Sequence, residues 1–342
     1  MRRRLLPALA VTAGLALLVP SGTALADRGG REHPGRNPYT FAVIGDIPYG
    51  AEQLARFPQV VDQINADPDV ELVNHLGDIK SGSTECTDAY FARIRSEFDR
   101  FADPLVYTPG DNEWTDCHRP NNGAYNPLER LDAIRNTFFD EPGQTLGQSP
   151  VQLTSQARAG FPENVRYSRA RVSFGVVHLV GSNDGLAPWT GKATATPEQT
   201  AEVLGRTAAA VELIRDTFAT ARRDRDRAVV LMTQADMFDP TVTAPTFADY
   251  YAFTPVVRAL VEESNAFDGP VYLFNGDSHV YNSDRPLAAG SPWLDLYGVE
   301  QPAANLERIT VDGSDNNDDY LRVTISPRKQ QVLSWTRVPY TS

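Results

Sequence analysis

Four times in this chain an apolar run ends in Gly-Asp. The runs beginning at Phe41, Glu71, Pro104 and Pro270 end at Gly45-Asp46, Gly77-Asp78, Gly110-Asp111 and Gly276-Asp277, and the last continues into Ser278-His279. A single Gly-Asp is an ordinary turn. Four of them, each closing a strand-like segment, point to carboxylates converging on a cation. Carboxylates are hard oxygen donors, and one imidazole adds a borderline nitrogen donor. Close carboxylates also repel, so they need a divalent charge between them or must keep some protons. Asp46, Asp78, Asp111, Asp277 and His279 lie far apart in the chain, so only the fold can assemble them.

The elements that must do this can be read from pattern. In open α/β sheets ligands bind outside the carboxyl ends of strands, which is where each Gly-Asp falls. After Asp46, Pro48 lacks a ladder N–H and Gly50 permits a sharp turn, so the first strand must stop there. Helical spacing marks 51–66 (Leu54, Phe57, Val61, Ile64, with Pro58 shortening or kinking it) and 84–102 (Phe91, Ile94, Phe98, Phe101). A third helix over 127–139 starts at a proline, which suits a first turn. Residues 112–126 and 140–164 read as loops, and 165–181 as a hairpin whose second, buried strand contains His178. The longest helix spans 197–222, a buried strand 228–233 and a further helix 247–266. Leu306–Val311, Leu321–Ile325 and Val332–Val338 read as three strands of a terminal meander. The simplest architecture is α/β: two packed mixed β-sheets, a β-sandwich, flanked by helices in a single domain over 39–342.

Residues 1–26 have the pattern of a signal peptide: Arg2-Arg3-Arg4, an apolar run from Leu5 to Val19, and Ala24-Leu25-Ala26. Residues 27–38 are polar and rich in Gly and Pro, and read as a disordered lead-in. The remaining sequence has no apolar segment long enough to span a membrane. A secreted protein is therefore expected. Without the leader, 29 basic side chains face 44 acidic ones, so bulk charge does not favour nucleic acid. A small phosphate ester stays compatible, because a bound cation inverts the local field. The two cysteines, Cys86 and Cys117, each follow a Gly-Asp, and export favours a disulfide between them.

The ordered motifs resemble the calcineurin-like metallophosphoesterase superfamily, which includes purple acid phosphatases. Its members carry Asp-x-His, Gly-Asp, Gly-Asn-His-Glu/Asp, a strand ending in His, and Gly-His-x-His. The likeness runs from Asp46 to His279, with departures. Pro48 stands where the family has a ligand histidine, and Tyr49 beside it is an additional candidate ligand. In Gly110-Asp111-Asn112-Glu113, Asp111 falls on the ligand asparagine and Asn112 on the histidine that contacts substrate. Gln234 falls nearest the next histidine, with Thr233 as the alternative, and Asp277 replaces the first histidine of the last motif. The resemblance implies one cation on Asp46, bridging Asp78 and His279. It implies a second on Asp78, Asp111, Asp277 and Gln234. That second, all-oxygen set favours Mg²⁺, Mn²⁺ or Ca²⁺ over zinc, with iron also compatible.

The implied activity is hydrolysis of a phosphoric ester, a metal-bound hydroxide attacking phosphorus. With Asn112 a poor proton donor, His118 is a candidate acid for the leaving group and Arg119 a candidate fork for phosphate oxygens. A loop histidine beside a disulfide is more often a surface residue, and His75 and His178 fit satisfied core histidines or supports of the ligands. Trp114 and Trp189 are as readily packing residues as substrate contacts. Asp312–Asp319 has the composition of a Ca²⁺ loop but lacks its glycine and closing glutamate, and a solvated turn is favoured. Two other readings stand beside the enzyme: a non-catalytic protein binding a phosphorylated ligand, and a structural Ca²⁺ protein.

Overall fold

A computed structural model describes residues 38–341; the leader and nearly all of the lead-in lie outside the described residues. Among the described residues twelve strands form two mixed sheets. They are β1 (Tyr39–Ile44), β2 (Val70–His75), β3 (Leu105–Tyr107), β4 (Thr154–Gln156), β5 (Phe161–Arg169), β6 (Val172–Val176), β7 (Ala228–Met232), β8 (Val271–Asn275), β9 (Asn282–Asp284), β10 (Leu306–Thr310), β11 (Asp319–Ile325) and β12 (Leu333–Pro339). One sheet has the order β12-β11-β1-β2-β3 and the other β4-β5-β6-β7-β8-β10-β9. β1, β2 and β3 are parallel, as are β6, β7, β8 and β10. Strands whose ends carry Gly-Asp therefore point the same way within each sheet.

The sheets pack face to face through Phe41, Val43, Leu72 and Val323 on one side and Phe174, Met232, Phe274 and Ile309 on the other. The Phe41 and Phe174 rings meet edge to face at 5.5 Å. Burial on both faces explains why β1, β6, β7 and β8 read as continuous apolar runs rather than alternating ones. Helices Gly50–Asn65, Asp88–Phe98 and Pro127–Phe138 cover the outer face of the first sheet with Phe57, Ile64, Phe91, Phe98 and Phe138. Helices Pro197–Asp224 and Thr254–Asn265 cover the second with Leu213, Phe218, Val257 and Leu260. The long helix has a clear start signal: Pro197 in the first turn and a capping box between Thr196 and Gln199.

The terminal meander is corrected. β10 joins the second sheet, parallel to β8, while β11 and β12 form an antiparallel pair on the edge of the first. Strand spacing along the chain does not reveal sheet membership, because pairing here is set by the distant β1 and β8. The short edge strands β4 and β9 and the helix Pro292–Tyr297 carried too little periodicity to be foreseen, and β4 and the start of β5 fall in 140–164, which reads as a loop in the sequence. The 247–266 segment is broken, with separate turns at Phe247–Tyr250 and Tyr251–Phe253 before the helix proper. Among the described residues no helix is long and apolar enough to cross a membrane.

Cys86 and Cys117 form a disulfide, with Cα atoms 5.9 Å apart across a separation of 31 residues. It ties the loop after β2 to the loop after β3, and both half-cystines are fully buried. Closing a loop of that length restricts the unfolded chain by about 3–4 kcal/mol. A Cys86→Ser, Cys117→Ser double variant should lose stability of that order in urea titrations, with its midpoint lowered and its slope raised, because the unlinked unfolded chain exposes more surface.

Candidate metal centre

The strand ends explain why glycine precedes each aspartate. A Cβ on Gly110 would lie 2.1 Å from Asp78 Oδ1, and one on Gly276 would lie 2.1 Å from Asp46 Oδ2. These two glycines let a neighbouring carboxylate come against the backbone, whereas Gly77, itself at positive φ, lies against the Gly110 backbone and Gly45 packs against Leu76. The next residue then turns out of the strand. Asp46, Asp78, Asp277 and His279 all have positive φ, between 53° and 72°. Left-handed backbone costs a non-glycine residue on the order of 1 kcal/mol, least for Asp and Asn, and such residues cluster at functional sites.

The five side chains converge. One oxygen or nitrogen from each of Asp46, Asp78 and His279 lies within 4.8 Å of the others, and the same holds for Asp78, Asp111 and Asp277. Asp78 belongs to both groups. Asp46, Asp78 and Asp111 are buried, and the Asp277 amide donates to Asp46 Oδ1 at 3.0 Å. Tyr49 touches the first group: its hydroxyl donates to Asp78 Oδ2 at 2.7 Å, lies 3.3 Å from His279 Nε2, and accepts from Asn112 Nδ2 at 2.7 Å. Asn112 also donates from its backbone to Asp78 Oδ1 at 3.1 Å and from Nδ2 to Asp78 Oδ2 at 2.7 Å. Its own carbonyl accepts from the buried Lys80 ammonium at 2.7 Å. Glu113, the acidic end of the third motif, takes the amides of Asp78 and Gly110 and the Tyr107 hydroxyl on one oxygen, fixing the two loops together.

Gln234 does not sit as the expected ligand. Its Oε1 accepts the Gly181 amide at 2.8 Å, which can only donate, so Nε2 faces Asp111 and Asp277 at 3.2 and 3.1 Å. The amide group steadies two carboxylates rather than offering an oxygen to a cation. His118 is half-buried at the rim. Its Nδ1 accepts the Thr190 amide at 2.9 Å, and burial and then Arg119 disfavour its imidazolium, the form a general acid needs. Arg119 is partly exposed and paired with Asp116 at 2.6 Å. His75 and His178 are core residues, the first bonded to the Ile47 carbonyl at 2.9 Å and the second to Glu163 at 2.9 Å. Trp114 is buried against His178, beneath the Arg206 guanidinium. Asp312 and Asp319 pair with Arg337.

One supporting residue carried no motif. The stretch Gly181-Ser-Asn-Asp184 makes a left-handed turn, with φ near 55° at Ser182, Asn183 and Asp184. It places Ser182 Oγ 3.0 Å from Asp111 Oδ2. A Cβ on Gly181 would come within 2.7 Å of Asp111 and 2.8 Å of Asp277. The only available sequence signal was the run of turn-forming residues, Gly, Ser, Asn and Asp, which tolerate this backbone.

Electrostatics test whether a cation fits. Among the described residues no Lys or Arg pairs with Asp78, Asp111 or Asp277, and the ion pair of Asp46 is with His279 at 3.3 Å. Burial and then the neighbouring Asp111, Glu113 and Asp46 push the Asp78 carboxyl well above its usual range. Burial, then Asp111 and Asp46, do the same to Asp277, and burial raises Asp46 against the pull of His279. Burial would lower His279, but Asp46 outweighs it and holds the imidazole above its ordinary value. Nearby Asp116 is raised to about 8, by burial and then Asp111. Hard anionic donors, close together and without basic partners, suit one or two hard divalent cations.

The sign of the pH effect follows. These carboxyls hold more protons folded than unfolded, so their contribution is favourable below about pH 4 and is lost as pH rises toward their folded values. Metal-stripped protein should therefore melt at progressively lower temperature from pH 5 to pH 8. Added Mn²⁺ or Mg²⁺ should restore stability most at pH 8, which calorimetry at matched ionic strength can check.

No curated protein matches the chain in sequence. Among solved structures, GAP50, the anchor in the inner membrane complex of Plasmodium, is 8% identical; the match covers 89% of this chain and 90% of that one, with a TM-score of 0.44. The purple acid phosphatase PPD1 from yellow lupin (Lupinus luteus) seeds is 10% identical over 90% of this chain and 52% of its own, with a TM-score of 0.49. The chain thus spans about half the length of the lupin phosphatase. Residues 39–281, which run from β1 to just past His279, match the calcineurin-like phosphoesterase family, and the chain belongs to that family.

Proposed function

We propose that the protein is an exported, metal-dependent hydrolase of small phosphoric esters, folded as one domain after its leader. The observation that carries this reading is the meeting of Asp46, Asp78, Asp111, Asp277 and His279 in two three-ligand groups that share Asp78. Asp46, Asp78 and His279 would hold one divalent cation, and Asp78, Asp111 and Asp277 the other. When bound, such ions supply positive charge to the phosphoryl oxygens and lower the pKa of a water molecule.

The chain's own groups have separate tasks. Tyr49 and Asn112 hold Asp78 by its oxygens, which keeps the shared carboxylate in one orientation. Asn112 Nδ2 and the Arg119 guanidinium are the donors available to orient a phosphoryl group. Gln234 and Ser182 keep Asp111 and Asp277 apart from free rotation. No imidazole stands at Asn112 to protonate a departing alkoxide, and His118 favours its neutral form. Esters whose leaving group departs as an anion, such as aryl phosphates, should therefore be the best substrates.

The test is phosphate release from an aryl phosphate by the protein loaded with Mn²⁺ or Mg²⁺, together with metal analysis after dialysis. Turnover with two equivalents of metal per chain is the expected result. Tight binding of one equivalent without turnover would favour a non-catalytic phosphate-binding role instead, a reading to which the replacement of family imidazoles at Pro48 and Asn112 lends weight.

A further inference from the structure

A cleft of about 500 Å³ adjoins the metal centre, sharing Asp277 and Ser182 with it. Its composition is unusual for a site that takes a phosphate ester. No Lys, Arg or His lines it, whereas Asp236, Asp239 and Asp249 do, together with Tyr250, Tyr251 and Phe253. Asp236 is neutralised by the buried Arg308 at 2.5 Å. Asp239 and Asp249 have no basic partner among the described residues; they accept from Thr241 and Thr246 hydroxyls, both at 2.6 Å. The same segment leaves large apolar side chains in water, with Phe247 at 57% and Tyr251 at 42% exposure and their rings 6.0 Å apart. Aromatic faces beside uncompensated carboxylates attract an organic cation, through the ring quadrupole and through charge. They repel an anionic group.

Resting on the phosphoesterase reading, we infer that this cleft receives the alcohol portion of the ester and that this portion carries a quaternary or protonated ammonium group. The phosphoryl end lies at Asp277, and the cationic end lies against Tyr251 and Asp249. Polyphosphates, sugar bisphosphates and oligonucleotides are disfavoured by the same two free carboxylates.

The experiment measures competition against aryl phosphate hydrolysis by the metal-loaded full chain. Two inhibitors of one shape are compared: phosphocholine and 3,3-dimethylbutyl phosphate, in which carbon replaces the cationic nitrogen. Phosphocholine should compete about ten-fold more strongly or better. That ratio should fall toward one in Tyr251→Ala and in Asp249→Asn, two positions where a surface change leaves the core intact. Equal competition by the two inhibitors in the unmodified protein overturns the inference while leaving the hydrolase reading in place, and so does a ratio untouched by both variants. If no aryl ester is hydrolysed, the hydrolase reading has failed, and the cleft is read separately by calorimetry with choline against 3,3-dimethylbutanol. Tighter binding of choline supports a cation site there; equal binding overturns it.

Discussion

Replacing Asp78 by asparagine should reduce aryl phosphate turnover on the order of 10³-fold or more while making the metal-free protein more stable. Both effects come from the same carboxylate. Asp78 is the single residue common to the two ligand groups, so its loss weakens both at once. Without a cation it is also a buried acid facing Asp111, Glu113, Asp46 and Asp277, with burial itself the largest penalty on its charge. Asparagine keeps the shape and removes the charge, and its one oxygen can still accept from the Tyr49 hydroxyl and Asn112 Nδ2, though not from the Asn112 amide as well. A gain of about 1–3 kcal/mol at pH 8 in chelator-treated protein is expected, vanishing at pH 4, where the acid is already protonated. Thermal melts of both proteins with and without EDTA, across that range, check it. A variant that is both inactive and less stable at pH 8 would show that Asp78 is structural rather than a strained ligand.

The second large effect is structural and lies one layer behind the site. Arg206, in the helix Pro197–Asp224, is fully buried and bonds the Asp184 carboxylate and, at 2.8 Å, the Asp184 carbonyl. It also pairs with Glu202 at 2.9 Å and lies 5.3 Å from the Trp114 ring centre. Arg206→Met should cost about 3–5 kcal/mol, because it strands a buried carboxylate without its partner. Asp184 also accepts the Val180 amide at 3.2 Å and the Thr207 hydroxyl at 3.2 Å, and so closes the left-handed turn that presents Ser182 to Asp111. Destabilisation should therefore come with weaker metal binding, although Arg206 touches no ligand. The double variant with Asp184→Asn should recover much of the stability, since both charges are then gone. Urea titration gives the first quantity and metal titration the second.

How much of this was legible beforehand depends on how local the signals are. The Gly-Asp strand ends announced themselves because two requirements coincide in adjacent residues at Gly77-Asp78 and Gly276-Asp277: an approach only glycine allows, and a carboxylate that tolerates positive φ. The longest helix was equally plain from its apolar spacing, and the helix at Pro127 from its initial proline. The role of Gln234 was not, because an amide can face a carboxylate with nitrogen or a cation with oxygen, and only the distant Gly181 amide decides which. Arg206 and Arg308 gave no warning either. A charged residue in a helix or strand reads as surface, and both are fully buried because acids from remote loops meet them. The division of β10 from β11 and β12 was hidden for a related reason: sheet membership is decided by pairing partners elsewhere in the chain, β8 for β10 and the far more remote β1 for β11.

Remote acids that meet around shared positive charge should bind metal where they meet. Anomalous diffraction from crystals soaked in Mn²⁺ tests it most directly. Two peaks should appear roughly 3.5–4 Å apart, as in two-metal sites, with Asp78 contacting both. Manganese bound elsewhere on the surface, with none among Asp46, Asp78, Asp111, Asp277 and His279, would contradict it.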